Sequence, residues 1–210
     1  MSNLRKASLL VIILAFCVSA YFYGAVNDNM ASHWNSAGEV DGHMPKLLGL
    51  FLMPVLAVLM YVMFIYLPKF DPLGKNVNKF MKYYDGFMLG MVLFLLYMHS
   101  LSLAWNLGYV FDMGLFIMPA LALLFYYIGV LLTHSERNWF IGIRNPWTLS
   151  SDKIWKKTHK LGGKLFKAVS LLLLVGLFFG GYAIVFFVVP LIFVILYLFY
   201  YSYREFKHGS

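Results

Sequence analysis

Long, uninterrupted apolar runs leave this chain few folds to choose from. A helix rises about 1.5 Å per residue, so roughly 20 apolar residues cross a hydrocarbon layer about 30 Å thick. Such runs lie at about Ala7–Val26, Leu47–Leu67, Tyr84–Trp105, Gly114–Thr133, Leu165–Gly180 and Tyr182–Tyr203. The last two belong to one stretch too long for a single span, and Gly180-Gly181 offers the backbone freedom for a tight reversal between them. In lipid each backbone polar group must be satisfied internally, so the runs predict helices. The expected fold class is therefore an all-α integral membrane protein with six transmembrane helices. Only 12% of the residues are charged, about half the share of a soluble domain.

Charge then orients the spans. Arg5 and Lys6 precede the first, and the loop from Asn27 to Lys46 sets one lysine against Asp28, Glu39 and Asp41. Lys69, Lys75, Lys79 and Lys82 occupy the next loop, whereas the one after it has Asp112 and no base. A 31-residue basic block, His134 to Lys164, follows the fourth span, and the tail adds Arg204 and Lys207. With Lys167 counted in that block, sixteen of the seventeen Lys and Arg residues fall on one side. Positive loops stay inside, which predicts an N-in/C-in topology with a cytoplasmic block. The net charge of +8 follows from this orientation, so direct nucleic-acid binding is not expected. Cys17 stands alone, excluding an internal disulfide and a cysteine-based metal site. The N-terminus is like a signal peptide but has no convincing small-x-small cleavage site, so a retained first helix is expected.

Three regions are expected: residues 1–82 as a helical pair with an outer loop, 83–113 as the third helix with a short outer loop, and 114–210 as a three-helix unit with the block. Between their ends the spans hold essentially no Asp, Glu, Lys or Arg, with Asp85 and Lys167 expected near helix ends. That argues against proton-coupled transport and intramembrane hydrolysis, and no enzyme is expected. His99, Ser100, Ser102 and Asn106 form the main polar stripe within a span. It reads either as helix-packing hydrogen bonds or as the substrate site of a small transporter or lipid-handling membrane enzyme.

The outer loop reads His33-Trp34-Asn35-Ser36-Ala37-Gly38-Glu39-Val40-Asp41-Gly42-His43. The spacing of His33, Asp41 and His43 matches no closed zinc pattern, so neither metal nor cofactor is expected. Trp34 suits the headgroup level, Gly38 and Gly42 suit turns, and Asn35 and Asp41 suit hydrogen bonds to loop backbone. The result would be a short external cap able to meet an extracellular ligand. In the block, Gly142 permits a tight turn, Pro146 holds Asn145 extended, and Arg144 offers a rigid fork. Trp139 and Trp147 flank it as interface anchors, and Glu136, Arg137 and Arg144 are candidates for one polar network. Ser150 or Ser151 can cap a surface helix to about Leu161, with Ile154, Trp155, Thr158 and Leu161 near one face and lysines elsewhere. Anionic lipid headgroups would favour those lysines.

The run Asn138-Trp139-Phe140-Ile141-Gly142-Ile143-Arg144-Asn145-Pro146-Trp147-Thr148-Leu149, with Trp155 following, closely resembles the signature of the SdpI family of bacterial membrane immunity proteins. The loop pattern His33-Trp34-Asn35-x-x-Gly38-x-x-Asp41-Gly42 is similar to an N-terminal domain of unassigned role that often precedes it. Relatives often have proline where this chain has Ala31. The resemblance implies a multi-pass protein of the bacterial cell membrane that gives resistance to a secreted, membrane-active peptide toxin. It also implies a receptor that holds a cytoplasmic transcriptional repressor at the membrane for signal transduction. The residues placed in the signature are Asn138, Gly142, Arg144, Pro146, Trp147, Thr148 and Trp155. Those expected at a ligand contact in the outer loop are His33, Trp34, Asn35, Gly38 and Asp41.

Overall fold

The computed structural model describes residues 1–35 and 38–209. Ser36 and Ala37 of the loop motif lie outside the described residues. In chain order the elements are α1 (Asn3–Tyr21), β1 (Asn29–Trp34), β2 (Val40–Pro45), α2 (Lys46–Phe70), α3 (Gly74–Lys79), α4 (Met81–Asn106), α5 (Met113–His134), α6 (Pro146–Ser150), α7 (Asp152–Gly176) and α8 (Val185–Gly209). Among the described residues, six helices are long and apolar enough to cross a membrane: α1, α2, α4, α5, α7 with the turn after it, and α8. Large apolar side chains such as Leu123, Phe178, Val189 and Phe193 stand exposed along them. Surface of that kind calls for lipid rather than water around it.

Three expectations need correction. The expected all-α fold is mostly helical, because β1 and β2 pair as an antiparallel ribbon where loop turns were expected. The pairing runs from Asn29 opposite Pro45 to Trp34 opposite Val40, with register irregularities between Ala31 and Trp34. Secondly, the surface helix expected to end near Leu161 and the span expected from Leu165 are one unbroken helix, α7. Ser151 caps it, accepting from the Ile154 N–H at 3.5 Å. Gly162 and Gly163 do not break it, since tight packing uses their missing side chains: a Cβ at Gly163 would meet the Gly129 carbonyl oxygen of α5 at 2.7 Å. Thirdly, Lys167 lies well inside α7, with Nζ 5.4 Å from the Tyr126 ring centroid. The reversal falls where expected: a 3₁₀ turn over Leu177–Tyr182 has Gly180 at φ +54°.

The chain divides into two compact units, Met1–Met63 with Met88–Leu121, and Phe64–Phe87 with Ala122–Ser210. In the first, Val26, Met30, Leu50 and Leu103 form one buried cluster and Ile12, Ala57 and Val92 another. In the second, Val169, Val194 and Leu198 form the centre, with Phe125 and Phe166 packed against it.

Candidate functional site

The signature loop of the second unit is a hydrogen-bonded knot, and Asn138 is its centre. This side chain is fully buried. Its Nδ2 donates to the carbonyls of Glu136 (2.8 Å) and Ile141 (3.0 Å), and its Oδ1 accepts from the N–H groups of Phe140 (3.0 Å) and Ile141 (2.6 Å). One amide thus closes the tight turn that no helix or strand ladder could satisfy.

Gly142 follows at φ +111°, a conformation costly for other residues, and a Cβ there would collide with Nε2 of His159. The neighbouring Ile143 N–H donates to that same Nε2 at 2.9 Å. An acceptor nitrogen carries no proton, so His159 is neutral, with Nδ1–H donating to the Trp155 carbonyl at 2.9 Å. Trp155 is likewise fully buried; it stacks on His159 at 3.9 Å and donates its indole N–H to the Ser135 carbonyl at 3.0 Å.

The second half of the loop starts α6. Asn145 is extended (φ −144°, ψ 171°), as Pro146 at the first helical position requires. Its Oδ1 accepts from the Thr148 N–H, and Thr148 Oγ1 accepts from the Asn145 N–H, both at 3.0 Å. This is a capping box in which threonine replaces the usual Glu or Gln. Asn145 Nδ2 then donates to Ser202 Oγ at 2.8 Å, tying the cap to α8.

Of the predicted signature residues, Asn138, Gly142, Thr148 and Trp155 are thus built into the knot, while Arg144 is exposed. A terminal guanidinium nitrogen of Arg144 donates to the Trp139 carbonyl at 2.5 Å. Trp139 is half-exposed, whereas Trp147 packs edge-on against Phe199 (4.8 Å) and beside Tyr203 (5.1 Å). The single network expected for Glu136, Arg137 and Arg144 is instead three separate contacts. Glu136 faces Lys156 at 3.6 Å, and Arg137 Nε lies 2.7 Å from Asp152.

Sequence reading missed several supports. Buried Asp71 accepts from the Leu73 N–H (2.7 Å) and the Trp139 N–H (2.8 Å), and Asn76 donates to the Arg137 carbonyl at 2.9 Å. Asp71-Pro72 after an apolar run marks a turn that could have flagged the first of these. His159 could have been found as the fourth member of the helical stripe Ile154, Trp155, Thr158 and His159.

In the first unit the ribbon gathers the loop residues. His33 Nδ1 lies 2.5 Å from Asp41 Oδ1, both exposed. Asn35 Oδ1 accepts from the Glu39 N–H at 3.0 Å, and Gly38 turns the chain at φ +80°. Trp34 is half-buried and packs edge-on against Trp105 at 5.7 Å. Lys46 lies 2.6 Å from Asp28 and holds that carboxyl below its ordinary range. In the polar stripe of α4, His99 Nε2 is 3.0 Å from Ser19 Oγ, which donates to the Leu50 carbonyl at 2.7 Å, while His99 Nδ1 is buried without a partner among the described residues. Asn106 clamps β1, accepting from the Ala31 N–H (2.8 Å) and donating to its carbonyl (3.0 Å). Proline at position 31 would lack that N–H. Among the described residues, no trio of His, Cys, Asp or Glu side chains is gathered closely enough to hold a metal ion.

Six lipid-facing helices carrying a polar ribbon and a polar knot define a multi-pass membrane protein. Its similarities are specific within that class: residues 135–201, which contain the whole knot, match the SdpI/YfhL protein family. Residues 10–58, which contain the ribbon, match a domain of unknown function, DUF1648. Immunity protein SdpI of Bacillus subtilis (strain 168) is 25% identical over 189 residues, 90% of this chain and 88% of that protein. No solved structure matches.

Proposed function

We propose that this chain is a membrane immunity protein that protects its cell against a secreted, membrane-active peptide toxin. The carrying observation is the likeness to Immunity protein SdpI over 90% of the chain, which takes in both polar structures. The proposed topology is N-in/C-in. By chain order the ribbon then follows an inward-to-outward span and the knot follows the fourth, so the ribbon is external and the knot cytoplasmic. In this reading the ribbon residues His33, Trp34, Asn35, Gly38 and Asp41 form the face that meets the peptide.

The knot has a different role. Asn138, Gly142, Thr148 and Trp155 are consumed in holding its shape, which leaves exposed Arg144, beside half-exposed Trp139, for contact with a partner. A cytoplasmic repressor held at the membrane is the proposed partner, and exposed Lys153, Lys156, Lys160 and Lys164 favour anionic headgroups nearby. The role needs no catalysis. The transporter reading loses its main support, since His99 and Asn106 are engaged in packing bonds.

Expression in a sensitive bacterium challenged with the killing peptide of the sporulation-delay system tests this reading. Survival well above the empty vector is expected. Killing at the vector's dose, with the protein present in the membrane and SdpI protecting in parallel, overturns it.

A further inference from the structure

The lysines of α7 share one face of the helix. Lys153, Lys156, Lys157, Lys160, Lys164 and Lys167 follow a spacing that stacks side chains on one side, while Trp155, Thr158, His159 and Gly162 are buried on the other. Because α7 is unbroken, the lysine face continues at the same spacing to Leu171 and Leu174, and both leucines are exposed. Two of the lysines are paired with carboxylates, Lys156 with Glu136 and Lys157 with Glu205. Among the described residues, the three deepest, Lys160, Lys164 and Lys167, have no such pair.

Lys167 lies furthest into the span. Its stem rests on α5, where a Cβ at Gly129 would come 2.8 Å from the lysine Cγ, and its Nζ stands 5.4 Å from the Tyr126 ring centroid. Tyr126 precedes the end of α5 at His134 by eight residues, about 12 Å of helix. Leu123 and Tyr126 at that depth are exposed, as are the leucines of α7. An ammonium group beside hydrocarbon is costly, so its counter-charge has to be identified.

We propose that this face binds one anionic phospholipid, with its phosphate shared by Lys164 and Lys167 and an acyl chain lying along Leu171 and Leu174. Residues three apart on a helix have Cβ atoms about 5–6 Å apart, close enough for two ammonium groups to share one phosphate. Lysine stems extend along apolar surface toward the headgroup level, which lets Lys167 meet a phosphate above its own Cα. The order of side chains selects the occupant. Cations followed directly by exposed leucines match an amphiphile whose phosphate joins hydrocarbon. An acidic protein segment or a free phosphate would match the lysines and leave the leucines bare. The inference deepens the placement of headgroups beside these lysines, and it rests on the membrane reading rather than on immunity.

The test is lipid titration of the full chain, stripped of lipid in maltoside detergent and followed by native mass spectrometry. The first phosphatidylglycerol should bind about tenfold or more tightly than the first zwitterionic phosphatidylcholine. Each lysine beside an anionic headgroup contributes about fivefold, so Lys164→Gln with Lys167→Gln should weaken phosphatidylglycerol binding about 30-fold. Lys153→Gln, about 21 Å along the helix from Lys167, should change it by less than about twofold. If the double variant fails to fold, Lys164→Gln alone gives the reading, because that side chain is exposed, with a loss of about fivefold. Equal affinity for the two lipids, or an equal loss in Lys153→Gln, would overturn the site in favour of diffuse charge. Displacement of bound phosphatidylglycerol by equimolar inorganic phosphate would overturn the lipid in favour of a free anion. None of these outcomes involves the killing peptide, so the immunity reading is tested separately.

Discussion

Replacing Asn138 gives the sharpest test of the knot. Asn138→Ala removes four hydrogen bonds around a fully buried amide: two given to the carbonyls of Glu136 and Ile141, two received from Phe140 and Ile141. Each contributes about 1 kcal/mol net, and water reaching the opened turn recovers part of that, so the expected local loss is about 2–4 kcal/mol. At about 1.4 kcal/mol per tenfold, opening of the loop rises about 30- to 700-fold. Trypsin cleavage after Arg137 and Arg144 in detergent reads this opening directly. Asn138→Asp sharpens the test. Its carboxylate keeps both acceptor roles but sets negative charge against two carbonyl oxygens in a buried site, which raises its folded pKa above the unfolded value near 3.9. The defect should therefore be small below about pH 4 and grow as pH rises through the folded pKa, because only the protonated acid can donate to a carbonyl. Cleavage rates for Asn138→Ala equal to wild type, or an Asn138→Asp defect that worsens on acidification, would refute the reasoning.

Other outcomes follow from single contacts. Gly142→Ala forces a positive φ on a side chain that strikes His159, so a loss of at least about 1–3 kcal/mol is expected in thermal unfolding. Thr148→Val, similar in shape but without the hydroxyl, should cost about 1 kcal/mol and Thr148→Ser much less, as measured by the same melts. Asn106→Leu should speed hydrogen exchange at the Ala31 amide about 5- to 150-fold, the range for an unmade bond of about 1–3 kcal/mol.

The spans were legible because length and apolarity leave lipid-exposed chain no alternative to helix. The Gly180 reversal, the Ser151 cap and the extended Asn145 were legible too, since each depends on a local backbone preference of one or two residues. Long-range bonds were not. Nothing near Asp71 announces that its second oxygen will meet the Trp139 N–H, 68 positions away. Nor could composition tell that Trp147 packs against α8 while Trp139 stands half-exposed, because both suit the membrane interface equally. The ribbon was hidden for a different reason. Its turn residues read as loop, and the pairing includes register irregularities and the Asn106 clamp from a distant helix.

The central claim is that the knot holds its shape through buried residues and presents Arg144 to a partner on which protection depends. Arg144→Gln keeps a donor within reach of the Trp139 carbonyl and removes the charge, so it tests that division directly. The measurement is survival of sensitive cells under the killing peptide, for wild type and Arg144→Gln at equal membrane abundance and equal trypsin cleavage after Arg137. The account predicts protection by wild type and at least a tenfold drop in survival for the variant. Full protection by Arg144→Gln would contradict it and return the arginine to closing the loop alone.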